Sequence, residues 1–316
     1  MVRLLKTVLV TGANGFVGQS LSKQLIHLGY EVVCVTRKPY HLSGTKNINI
    51  VNLEEADWPK HLNNIDSFIH TAARAHIINE TSTDPYAEFH RVNVSGTLNL
   101  AKQAAQAGVR RFIFISSIGV NGNQNLKPFT EEDEPNPQEP YALSKFVAEQ
   151  GLRLLAQKTN MEVVIIRPPL VYAPHAPGNI ARLLKMVTLA DKYNLPLPFG
   201  AINNRRSLVA LDNLVNFIVT CLEHPAAANQ TFLVADNKST STSQLLRYCA
   251  AAHGLKLWML PIPPKWLKLC AALLGKRTEM IKLCDNLEVD TTKAKLLLDW
   301  NPPISSVLDG FKANTF

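Results

Sequence analysis

The sequence predicts an α/β chain: a doubly wound parallel sheet followed by a smaller, partly interleaved lobe. Three observations lead there. Apolar, β-branched runs alternate with helix-like stretches through the first half, and a glycine-rich turn directly follows the first run. After Pro168, prolines and glycines cluster at 168–178 and 194–200 and the alternation ends.

The strand-like runs are TVLVTG (7–12), EVVCVTR (31–37), NINIVNL (47–53), SFIHTAA (67–73), RFIFISS (111–117) and EVVIIRP (162–168). Segments such as 17–28 and 86–107 read as helices between them. Val/Ile runs without polar alternation suit strands covered on both faces. Strand–helix alternation implies right-handed crossovers. The expected division is 1–171, with a returning segment at about 207–235, for the first domain. Residues 172–206 and 236–316 form the smaller lobe, and a cleft between the two would hold a small ligand.

Composition narrows the ligand. The 316 residues are 46% apolar and 18% charged, which suits a globular chain with a real core. A formal charge of +8 favours anionic partners. No dense Lys/Arg run is present and aromatics are not interleaved with cations, so a nucleotide-sized anion fits better than nucleic acid. The five cysteines (Cys34, Cys221, Cys249, Cys270, Cys284) show no metal-ligand spacing and read as reduced, buried thiols of a cytoplasmic protein. The N-terminus offers no signal peptide. The apolar segment WLKLCAALLG is too short to span a bilayer and is expected to pack on its own domain.

At the first strand–helix turn, TGANGFVG sets Gly12, Gly15 and Gly18 three apart. Small residues there let the backbone approach a pyrophosphate, and the helix N-terminus supplies free N–H groups. In this context the pattern is a Rossmann-type dinucleotide cradle, with Gly12, Asn14, Gly15, Phe16, Val17 and Gly18 at the cofactor. The second strand ends in CVTRKPY, with no carboxylate to bind a ribose hydroxyl. Arg37 and Lys38 suit a 2′-phosphate, so NADP(H) is favoured and NAD(H) is the alternative.

TGANGFVG, HTAA (70–73), RVNVSGTLNL (91–100), FIFISSIGVNG (112–122), YALSK (141–145), RPPLVYAP (167–174) and RRSLVALDNLV (205–215) occur in an order that resembles the NAD-dependent epimerase/dehydratase family of extended short-chain dehydrogenases/reductases. The resemblance covers about the first two-thirds of the chain and implies a catalytic set of Ser117, Tyr141 and Lys145. The chemistry agrees: moving a hydride at a secondary alcohol needs a proton acceptor beside it. A tyrosine at pKa ~10 is too weak a base at neutral pH. A lysine ammonium about 4 Å away would lower it by roughly three units. The resemblance also implies that Lys145 holds the nicotinamide ribose and that Leu53, Ala72 and Ala73 lie beside the cofactor. Asn93 would support the catalytic helix, although a helix cap or turn reads almost as well there. His70 is expected to be structural.

For substrate, the resemblance implies that Asn179 and Arg205, or the adjacent Arg206, grip the diphosphate of a nucleotide-sugar, with UDP the expected nucleotide. Three positions depart from the family's pattern: Ala173 stands for a glycine, Asn52 for an aspartate, and the late arginine has only Lys282 or Arg277 as a substitute. The segment SSIGVNG lacks the carboxylate pair of a dehydratase. A 4-keto-reductase of surface-polysaccharide precursors is favoured on Arg37 and Lys38, with a 4-epimerase that retains its NAD as the alternative. A non-catalytic NADP sensor is the reading from another class. A homodimer is expected, without metal, nucleic acid or membrane insertion.

Overall fold

The structure is a computed structural model that describes residues 6–75 and 84–312. The strands are β1 (Thr7–Thr11), β2 (Glu31–Thr36), β3 (Thr45–Asn49), β4 (Ser67–His70), β5 (Arg111–Ile115), β6 (Glu162–Arg167), β7 (Leu170–Tyr172), β8 (Leu208–Ala210) and β9 (Thr231–Leu233). Seven form one sheet in the order β3-β2-β1-β4-β5-β6-β9, parallel throughout. β7 and β8 pair separately, also in parallel. The doubly wound sheet expected from the Val/Ile runs is present, and the strand order reverses between β1 and β4. Such a switch point opens a crevice at the carboxyl ends of the strands.

Burial explains the unbroken apolar runs. β1, β4 and β5 are buried at every position, because helices cover both faces. One face packs against α1 (Phe16–His27) and α6 (Leu211–Glu223) through Leu21, Leu25, Leu214, Phe217 and Ile218. The other packs through Leu100, Ala101 and Ala104 of α3 (Gly96–Gln106) and Ala148 and Leu152 of α4 (Pro140–Lys158). A third cluster joins α5 (Asn179–Lys192), α7 (Thr242–Ala252), α8 (Pro264–Leu273), α9 (Arg277–Cys284) and the terminal α11 (Val307–Lys312) around Tyr172 and Ile202. Between α9 and α11, α10 (Thr292–Leu298) closes on the first cluster through Ala294 and Leu298.

Two expectations change. The third strand lies at 45–49 rather than 47–53: β3 pairs only with β2, and the ladder ends with Ile50 N–H donating to Thr36 O at 2.9 Å. The helix read at 86–107 is interrupted. It runs as α2 (Pro85–Phe89), a π-helical turn at His90–Ser95, and α3. Of the cysteines, Cys270 is exposed while the other four are buried.

Candidate active site

The cradle forms because three glycines occupy places that a side chain would block. Gly12 has φ of +67°, and a Cβ there would lie 2.8 Å from Ala72 N. A Cβ on Gly18 would lie 2.2 Å from Gly12 O. The β1–α1 turn therefore presses against the loop after β4, fastened by Thr71 Oγ1 donating to Thr11 O at 2.6 Å. Gly15 caps α1 with no side-chain hydrogen bond, and the first turn carries no acid. The first N–H groups and the positive dipole end of α1 are thus presented without competition, as a pyrophosphate requires. The chain's own residues fit a dinucleotide: Gly12, Asn14, Gly15, Phe16, Val17 and Gly18 would hold its phosphates, with Ala72 and Ala73 alongside.

Arg37 and Lys38 follow β2 and are exposed. Leu53 is buried in the loop after β3, where its carbonyl accepts from Asn99 Nδ2 at 3.2 Å. Asn52 is exposed and bonds Glu55.

The two serines ending β5 separate cleanly. Ser116 is buried, with Oγ 2.5 Å from Glu149 Oε1. Ser117 is half-buried and accepts from Gly119 N at 3.1 Å, which leaves its hydroxyl proton to donate. Its turn packs on the start of α4: a Cβ on Gly119 would sit 3.2 Å from Ala142 Cβ and 3.4 Å from Ser117 Oγ.

Tyr141 and Lys145 occupy successive turns of α4. Lys145 is buried, donates to Ile115 O at 2.8 Å, and lies 4.4 Å from the Phe114 ring centroid and 5.9 Å from that of Tyr141. Burial dominates both groups: it pushes Tyr141 up to about 12 and draws Lys145 down to about 7, the latter opposed by Glu149. The expected lowering of Tyr141 by an adjacent ammonium is not found in the chain by itself. The cause is desolvation, which penalises phenolate and ammonium alike.

Asn93 holds this region together. From the π-helical turn its Oδ1 accepts from Arg74 N at 2.8 Å, and its Nδ2 donates to Arg74 O and to Ser144 Oγ at 3.1 and 2.9 Å. Ser144 in turn donates to Tyr141 O at 2.7 Å. The loop after β4 is thereby fixed to the start of α4. Three residues that sequence reasoning did not single out belong here: Ser144, Glu149, and Phe89, whose ring meets Tyr141 edge-on at 6.2 Å. Glu149 alone had a legible signal, its place one helical turn after Lys145. His70 is buried between the hydroxyls of Thr11 (2.7 Å) and Thr97 (3.0 Å), and burial lowers it to about 3.

On the substrate side, Asn179 opens α5 and is exposed, after Gly178 at φ +69°. Arg205 is 70% exposed and pairs with Glu288 at 3.0 Å. Arg206 points the other way, donating to Asp285 O at 3.1 Å, and burial draws its guanidinium below its usual range. Lys282 bonds Glu139, immediately before α4, whereas Arg277 is exposed. Among the described residues, no group of three or more His, Cys, Asp or Glu is arranged to hold a metal, and no helix is long and apolar enough to cross a membrane.

Comparison with known proteins identifies the family. The profile of the NAD dependent epimerase/dehydratase family matches residues 8–235. A UDP-glucose 4-epimerase of Vibrio cholerae is 42% identical over 312 residues, covering 97% of this chain and 94% of that protein. An N-acetyl-alpha-D-glucosaminyl-diphospho-ditrans,octacis-undecaprenol 4-epimerase of Escherichia coli O157:H7 is 28% identical over 90% of this chain and 88% of its own. Among solved structures, the UDP-glucose 4-epimerase of Thermotoga maritima with UDP-glucose superposes with a TM-score of 0.76 at 23% identity, covering 98% and 97% of the two chains. The UDP-glucuronic acid 4-epimerase of Bacillus cereus with NAD gives 0.77 at 22% identity and the same coverage. With the family profile spanning the whole parallel sheet and a relative of this identity along nearly the full chain, the protein is an enzyme of the NAD dependent epimerase/dehydratase family.

Proposed function

We propose that the chain is a 4-epimerase of UDP-hexoses that keeps its NAD through the cycle. The observation that carries this reading is the 42% identity over 97% of the chain to a UDP-glucose 4-epimerase, combined with Ser117, Tyr141 and Lys145 gathered at one end of the parallel sheet. Arg37 and Lys38 alone favour the 4-keto-reductase with NADPH. They are exposed side chains, and NAD is the dinucleotide in the solved relative from Bacillus cereus.

A dinucleotide held by Gly12, Gly15 and Gly18 would supply the hydride acceptor, and then the donor, for the sugar C4. Tyr141 takes the O4 proton as the C4–H bond breaks and gives it back on reduction, so the cycle has no net redox change. Ser117 donates its remaining hydroxyl proton to the same oxygen. Lys145, held by Ile115 O and drawn down to about 7 by burial against the opposing charge of Glu149, supplies positive charge 5.9 Å from the Tyr141 ring centroid when protonated. Positive charge near the phenol would oppose the burial that disfavours phenolate. Arg206 and Asn179 would grip the diphosphate, with Arg205 at the cleft rim.

The test incubates purified protein with UDP-glucose or UDP-GlcNAc without added reductant, and separately with a UDP-4-keto sugar and NADPH. C4 inversion with no net change in cofactor, and NAD released on denaturing the protein, are the expected results. Stoichiometric NADPH consumption would overturn the epimerase reading in favour of the reductase. Neither reaction with any substrate would favour the sensor.

A further inference from the structure

Helix α8 is apolar on two sides, one buried and one exposed. Leu267 and Ala271, one turn apart, are buried in the third cluster and its edge. On the exposed side, Trp266, Leu269, Cys270 and Leu273 recur at helical spacing. Trp266, Leu269 and Leu273 are 62%, 53% and 82% exposed, and Leu274 extends the stripe beyond the helix. The segment leading into α8 repeats the pattern with a period of two: Leu257 and Met259 pack inward, while Trp258 and Leu260 face out. Of the sixteen large apolar side chains exposed among the described residues, six fall within 258–274. Trp58 and Trp300, the other tryptophans, are buried, so the clustering is particular to this face.

The charge around the stripe is predominantly positive. Residues 256–282 hold Lys256, Lys265, Lys268, Lys276, Arg277 and Lys282 against the single carboxylate of Glu279. Lys268 is engaged by Asp285 and Lys282 by Glu139, whereas Lys256, Lys265, Lys276 and Arg277 are exposed beside the apolar residues.

We propose that this face docks on an anionic lipid bilayer. The ten-residue α8 lies in the plane of the headgroups, with Trp266, Leu269, Leu273 and Leu274 at the acyl boundary. Lys265, Lys276 and Arg277 meet lipid phosphates. Tryptophan suits that boundary because its ring is apolar and its N–H can stay hydrated. A second copy of the chain fits less well, since a two-fold contact would bring the same cations face to face. The expectation that WLKLCAALLG simply packs on its own domain accounts for Leu267 and Ala271 and leaves the outer stripe unexplained.

Flotation of the full chain with liposomes tests this. Vesicles of phosphatidylcholine with phosphatidylglycerol should carry the protein up the gradient, with a blue shift of tryptophan emission, and phosphatidylcholine alone should carry little. Trp266→Glu with Leu273→Glu should abolish flotation, and Lys276→Ala with Arg277→Ala should weaken it roughly tenfold or more on anionic vesicles. Leu126→Glu, at a fully exposed apolar residue elsewhere, should leave it unchanged. Unchanged circular dichroism and thermal midpoints establish that the variants fold. Failure of the wild type to float, or flotation of the Trp266/Leu273 variant equal to wild type, overturns the proposal. A wild-type dimer in sedimentation that the same variant dissociates, with no vesicle binding by either, assigns the face to a second copy instead.

Discussion

Arg167 lays Nε and Nη2 on the two carboxylate oxygens of Glu149 at 2.9 and 2.6 Å, with both side chains sealed from solvent. Ser116 and Arg153 complete the carboxylate's bonding. The pair ties the end of β6 to α4 one turn beyond Lys145, directly behind the proposed proton-transfer site.

Glu149→Gln should therefore lose ~3–5 kcal/mol of unfolding free energy, because it leaves a buried guanidinium uncompensated. Arg153→Ala, which removes only the half-exposed partner of the same carboxylate, should cost ~1 kcal/mol or less. Urea titration of the two variants checks the contrast; equal losses would mean that the buried pair is not what holds β6 to α4.

Tyr141→Phe should lower turnover at the sugar C4 by ~10²-fold or more while the protein still retains its dinucleotide. Steady-state kinetics and the cofactor content of the purified variant give the two readouts. An active Tyr141→Phe enzyme would remove this residue from the mechanism.

Gly18→Ala puts a methyl group 2.2 Å from Gly12 O, a contact that only displacement of the turn can relieve. Dinucleotide affinity measured by calorimetry should fall more than tenfold. Gly29→Ala is the comparison: it meets no atom within 4 Å but has φ of +83°, so its effect should fall on stability and not on cofactor binding.

His70 gives the fold an acid-sensitive term. Its folded pKa of about 3 lies below the ordinary 6.5, so between those values the unfolded chain binds a proton that the native chain does not. Its contribution to stability is complete above about pH 6.5 and falls by up to ~1.4 kcal/mol per pH unit on acidification toward pH 3. Denaturant midpoints from pH 7 to pH 5 should show this slope. His70→Gln should flatten it, even if the variant is less stable at neutral pH.

The cradle and most of the sheet were legible because both are written locally, in glycine spacing and in runs of Val and Ile. β3 was misplaced because its limits are set by pairing with β2 across a loop, and NINIVNL is equally apolar past the point where the pairing ends. The pairing of Tyr141 with Lys145 followed from helical spacing, but the direction in which burial moves them could not, since desolvation depends on how β5 and its neighbours pack against α4. The contrast between Ser116 and Ser117 comes from Glu149, and that between Arg205 and Arg206 from backbone pairing of Arg206 with Thr240 and Leu287. Glu149, Thr240 and Leu287 each lie more than thirty residues from the residue they distinguish.

The π-helical turn at His90–Ser95 acts on the rest of its helix as a phase shifter. One extra residue in a turn rotates everything downstream by about 100° relative to a regular helix. With that offset, Asn93 faces the β4 loop while Leu100, Ala101 and Ala104 of α3 still face the sheet. Removing a single residue here would restore ordinary helical winding and turn α3's apolar stripe away from the core. The polar tie at Asn93 and the packing of α3 are therefore bound to one another by chain length, and neither tolerates a one-residue deletion that would leave every side-chain type in place.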